Sequence, residues 1–111
     1  MTMKIFVNLP VRDLDASKAF FRALGFDFNP QFSDDTAACL VFSDHIYAML
    51  LTHAKFRQFT KKEIADAHRT AEVLTALALD SRQQVDDLYE RAINAGATEA
   101  NAPIDMGFMM V

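Results

Sequence analysis

The sequence predicts an α+β fold in which a βαβββ order occurs twice. A two-fold echo carries that prediction, with KIFVNLPV leading into RDLDASKAFFRALG near the start and AEVLTALAL leading into DSRQQVDDLYERAINAG later. In each copy an apolar run precedes a capped, helix-periodic stretch that stops at glycine. Three short apolar segments after the first helix, FDFNPQF, TAACLVF and HIYAMLLTH, supply the remaining strands. A repeated strand–helix unit is expected to build its site between the copies.

With 111 residues, of which 51% are hydrophobic, the chain suits one compact domain over residues 1–111. Its expected parts are a first module over 1–53, a connection over 54–71 and a second, incomplete module over 72–111. Ten phenylalanines and six methionines provide core material, and only three glycines and three prolines argue against a loop-dominated chain. The net charge of −4 and pI near 5.2 disfavour nucleic acid and anionic lipid, whose binding needs a basic face. Cys39 is the sole cysteine and has no internal disulfide partner, and its setting TAACLVF reads as a buried strand. The opening apolar run is too short for a membrane span, so the expected location is cytoplasmic.

Residues 3–9 are mainly apolar and include β-branched Ile5 and Val7, and Pro10 is expected to close that strand because it lacks an N–H for the ladder. Asp13 caps the next helix, Asp15 adds charge that suits its first turn, and Leu14, Phe20, Phe21 and Leu24 form its apolar stripe. Gly25 ends it. Asn29-Pro30, Ser33-Asp34-Asp35 and Ser43-Asp44 are turn formers between the three following segments, which implies an antiparallel meander. The connection carries mixed charge, two phenylalanines and a short helix expected around KKEIADAH. A strand is expected over 72–79, then a helix opened by a Ser81/Gln84 capping box and ended by Gly96. ATEANAP and GFMMV begin two more strands, and the second unit stops at Val111 inside its third, which implies a truncated C-terminal strand.

The βαβββ order, with VRDL before the first helix, resembles the vicinal oxygen chelate superfamily, which includes glyoxalase I, bleomycin-resistance proteins and extradiol dioxygenases. The pattern runs along the whole chain, and its specific part is FVNLPVRDLDASKAFFRALGF, similar to the opening of glyoxalase-like members. The resemblance implies an open, curled mixed sheet around a cavity and a homodimer. It also implies, in metal-dependent members, His, Glu or Gln ligands on inward-facing strand positions that hold a divalent ion. The first such position corresponds here to Phe6, seven residues before Asp13, the second to Leu50 and the third to about Leu74. All three are hydrocarbon, and the fourth falls beyond Val111. No metal or other cofactor is therefore expected. A register shift of one or two residues would instead bring Asn8, Thr52, His53 or Glu72 into play.

Strand alternation puts Ile5, Val7 and Leu9 on one face, under the helices, and Phe6, Asn8 and Pro10 on the other. The same parity is expected to bring Leu50 and Thr52 to the cavity from strand four, with Leu74 and Ala76 from the second module. The result is an apolar pocket with Asn8 and Thr52 as polar handles, the composition of a small-molecule cavity; the alternative is that these side chains simply fill the barrel. Lys55, Arg57, Lys61 and Lys62 cluster beside Phe56 and Phe59, either as a segment closing over an anionic or aromatic ligand or as a solvated loop pinned by its phenylalanines. His45 reads as a turn residue, His53 points by parity with Leu51 to the helix side, and His68 lies at no zinc-motif spacing.

Three functions remain open. The leading one is a metal-free, glyoxalase-like or bleomycin-resistance-like protein binding a small, partly apolar molecule. A metal-dependent lyase, isomerase or dioxygenase of the same superfamily, such as a lactoylglutathione lyase, is the second. The third is a ferredoxin-like regulatory or oligomerisation domain, against which a three-stranded meander would count.

Overall fold

A computed structural model describes residues 2–99. The chain divides into two compact units, Met1–Glu72 and Val73–Val111. In the first unit the order is β1 (Ile5–Val11), α1 (Leu14–Ala23), β2 (Asp27–Asn29), a 3-10 turn (Pro30–Phe32), β3 (Ala37–Val41), β4 (Ile46–Thr52) and α2 (His53–Phe56). Its open mixed sheet runs β1-β4-β3-β2, with β1 parallel to β4 and the other pairs antiparallel. The first βαβββ module is therefore present as expected, and its β2-β3-β4 meander counts against the ferredoxin-like alternative.

Local chemistry explains most boundaries. Asp13 Oδ1 accepts the Ala16 N–H at 3.0 Å, which satisfies an otherwise orphaned donor of α1. Gly25 follows the helix at φ 99°, a left-handed conformation that a Cβ would penalise. β1 runs through Pro10 rather than stopping before it, because among the described residues β1 is an outer strand of this sheet and a missing donor is tolerated on an edge. Only Asp27–Asn29 of the segment FDFNPQF is strand, since Asn29 accepts the Gln31 N–H at 3.0 Å and turns the chain into the 3-10 helix.

The core lies between α1 and one face of the sheet. Leu14, Phe28, Ala38, Leu40, Ala48 and Leu50 form it, with Leu9, Val11, Phe21, Phe26 and Phe42 packed around them. Phe26 and Phe42 meet edge to face at 5.1 Å, and the Arg22 guanidinium lies 5.3 Å from the Phe28 ring centroid. Burying each large apolar side chain contributes roughly 1.5–3 kcal/mol.

The connection differs from expectation. Its helix is α2, at His53–Phe56, where Thr52 Oγ1 accepts the Lys55 N–H at 3.3 Å. KKEIADAH is not helical, because Asp66 accepts the His68 N–H at 3.1 Å on its side chain and the Arg69 N–H on its carbonyl, which favours a turn over a helix.

In the second unit, helix α3 (Arg82–Asn94) matches its prediction. Ser81 Oγ accepts the Gln84 N–H at 3.2 Å, and Gln84 Oε1 reaches back to the Asp80 N–H at 2.8 Å, one residue beyond the usual reciprocal contact. Gly96 follows at φ 109°. Residues 72–79, expected as a strand, are not paired with any strand among the described residues, and a strand is defined by its partner. The strand expected over 107–111 lies outside the described residues, as does most of that over 97–103. No helix among the described residues is long and apolar enough to cross a membrane.

Candidate functional site

The sheet face away from α1 carries the candidate site. In the β1–β4 register Phe6 pairs with Tyr47, Asn8 with Met49 and Pro10 with Leu51. Paired residues share a face, so Tyr47, Met49 and Leu51 join Phe6, Asn8 and Pro10. The Phe6 and Tyr47 rings stack with centroids 4.6 Å apart and planes 8° apart. Tyr47 donates its hydroxyl to the Asp44 carbonyl at 2.7 Å, and Lys4 Nζ lies 5.8 Å from the Tyr47 ring centroid. Asn8 Nδ2 donates to the Phe6 carbonyl at 3.4 Å.

The expected placement of Leu50 and Thr52 on this face is corrected. Leu50 pairs with Leu9 and is 1% exposed within the core under α1, and Thr52 pairs with Val11 on that same side. A one-residue error in parity moves every side chain of a strand to the opposite face. For the same reason His53 does not follow Leu51 to the helix side. Leu51 shares the face of Phe6, and His53 leaves the strand as the first residue of α2.

Leu74 is 92% exposed and Ala76 is exposed in the unpaired segment of the second unit. Phe56 is half-buried in α2, which touches β1 and β4, whereas Phe59 is 71% exposed with Lys55 Nζ 5.8 Å from its ring centroid. Tyr47, Met49 and Lys4 were not singled out by sequence reasoning. Both alternating sets within IYAMLLT are apolar, so only the pairing register distinguishes them.

The residues at the positions that the sequence resemblance assigns to metal ligands do not suit a metal ion. At the first ligand position a benzene ring offers no lone pair, the second belongs to the helix-side core, and the third is leucine. Among the described residues no group of three or more His, Cys, Asp or Glu side chains lies together as a metal site. The histidines are dispersed: the His45 carbonyl accepts the Ile5 N–H at 2.9 Å, His53 begins α2 and His68 belongs to the Asp66 turn.

Electrostatics elsewhere serve structure. Asp34 is held below the usual carboxylate range, first by the Thr36 hydroxyl at 2.7 Å and then by the Thr36 N–H, with Ala37 N–H and Lys55 adding to the effect. Burial pushes the Cys39 thiol up, away from the reactive thiolate. Tyr89 is raised by its hydrogen bond with Glu99, and with Glu90, Ile93 and Asn94 it lines a groove on α3.

Comparison with known proteins gives the same fold. The family model described as bleomycin resistance protein-like N-terminal matches residues 4–43. A hypothetical protein, SA1046, from S. aureus matches with a TM-score of 0.76 and 25% identity, over 96% of this chain and 81% of the other. A glyoxalase/bleomycin resistance protein/dioxygenase family enzyme from Burkholderia phytofirmans PsJN matches with a TM-score of 0.65 and 22% identity, over 91% of this chain and 79% of the other. No curated protein matches the sequence.

Proposed function

We propose that this chain is a vicinal oxygen chelate-like protein, a reading supported by its N-terminal match and its fold, and that it binds a small, partly apolar molecule without the metal ion of metal-dependent members of that superfamily. The observation that supports this reading is Phe6: the residue at the first ligand position is an aromatic ring on the sheet face away from the core. That face offers rings, a thioether and one amide, which suit shape-based binding with few polar anchors. Ligand contacts are assigned to Phe6 and Asn8, with Phe56 and Phe59 contributing from the connection. Leu50 and Thr52 drop out, being on the opposite face. The molecule acts in the cytoplasm, with no nucleic acid or membrane partner, in keeping with its net charge of −4.

A homodimer completes the proposal. Among the described residues β1 is an outer strand of its sheet, with Met3 and Ile5 exposed, and an apolar edge strand invites pairing. A solution mass that stays monomeric at every concentration would contradict it.

The second reading is a metal-dependent lyase, isomerase or dioxygenase, favoured by the fold shared with the Burkholderia enzyme. Metal analysis of the purified protein separates the two. Retention of about one divalent ion per chain rejects the metal-free reading, whereas no bound ion after supplementation rejects its rival. Turnover of the methylglyoxal–glutathione adduct would also favour the rival.

A further inference from the structure

We propose that Lys4, Phe6, Tyr47 and Asn8 form a preorganised platform for a planar aromatic anion. The inference rests on the reading of this sheet face as the ligand site and narrows its ligand class. Phe6 and Tyr47 come from neighbouring parallel strands and are paired in register, so their rings stand side by side at 4.6 Å and 8°. The Tyr47 hydroxyl is tied to the Asp44 carbonyl at 2.7 Å, which holds its ring in place, while Phe6 remains 44% exposed. A flat ligand can therefore extend the stack without first ordering it, and offset stacking is the favoured contact between such rings.

Charge supplies the second half of the argument. Lys4 shares the parity of Phe6 and Asn8, and its Nζ lies 5.8 Å from the Tyr47 ring centroid. It makes no ion pair with a carboxylate among the described residues. With Nζ over the Tyr47 ring, the ammonium lies within reach of the stack and matches an aromatic ligand that also carries an acid group. Asn8 donates only one N–H, to the Phe6 carbonyl at 3.4 Å, so its amide oxygen and second N–H are available to an acid or hydroxyl.

The full chain provides its own reporter, because it contains two tyrosines and no tryptophan. In the Tyr89→Phe protein Tyr47 is the sole tyrosine, and its ring resonances can be followed by NMR after isotope labelling. The probes are 2-naphthoate, 2-naphthylmethanol and cyclohexanecarboxylate. Saturable movement of the Tyr47 signals by 2-naphthoate is expected, with binding about 3- to 10-fold weaker for the non-aromatic acid and up to about 5-fold weaker for the uncharged alcohol. Phe6→Leu should weaken 2-naphthoate about 10-fold. Lys4→Met should abolish the preference for acid over alcohol while leaving the alcohol bound.

Equal binding of the aromatic and non-aromatic acids, or an acid preference that survives Lys4→Met, overturns the platform. Thermal stabilisation by cyclohexanecarboxylate with unmoved Tyr47 signals overturns it while leaving the broader binding reading intact. If none of the probes moves Tyr47 or stabilises the protein, both fail.

Discussion

Leu50→Ala tests the register of β4, on which the position of the site depends. Leu50 is 1% exposed and packs with Leu14, Ala38, Leu40 and Leu9 beneath α1. Truncation removes three carbon atoms from contact, a transfer loss of roughly 2.4 kcal/mol at about 0.8 kcal/mol per methylene. The surrounding side chains collapse only in part, and the remaining cavity brings the expected cost to about 3–4 kcal/mol. A loss of that size is a large share of the roughly 5–15 kcal/mol that stabilises an ordinary domain. Urea unfolding should show a lower midpoint with an unchanged slope. The contrasting variant is Met49→Ala, whose half-buried side chain shares the face of Asn8 and whose loss should cost stability less and ligand binding more. If Leu50→Ala cost under about 1 kcal/mol, far below the usual range for a buried leucine, and weakened ligand binding more than Met49→Ala, the core assignment of Leu50 would be refuted.

Two further outcomes follow from side chains outside the proposed platform. Because the folded-state value of Asp34 is depressed, its stabilising contribution is present above the ordinary carboxylate value and disappears as pH falls through the folded one. Asp34→Asn should therefore reduce the dependence of unfolding temperature on pH below about pH 4, and an unchanged acid slope would show that its hydrogen bonds with Thr36 and Ala37 carry no linkage. Cys39, buried and with its thiol pushed up, should react with an aromatic disulfide reagent only as the protein opens, so its rate should rise steeply through the urea transition. Rapid modification of the native protein would contradict its burial in β3.

The first module and helix α3 were legible because their signals are local. Asp13 and Ser81 cap the helix that follows each of them, Gly25 and Gly96 take the positive φ that ends a helix, and short turns leave adjacent apolar segments little choice but to pair. A cap or a glycine stop acts within a few residues, so its physics is written in neighbouring letters. The same holds for Phe6 and Asn8, whose face follows from alternation along β1.

Tertiary structure alone decided which side of β4 faces which layer. Ile46, Ala48, Leu50 and Thr52 alternate with Tyr47, Met49 and Leu51, and neither set is polar enough to mark itself as outward. Pairing with β1 and packing under α1 settled that choice, and exchanged Leu50 and Thr52 for Met49 and Tyr47 at the candidate site. Residues 72–79 show the same limit in another form. Their apolar composition suits a strand, but a ladder needs hydrogen bonds from a second segment, and that partner is not specified by the strand's own residues. Composition and local caps thus determine the elements, while register and pairing, which depend on distant chain segments meeting, determine the faces on which function rests.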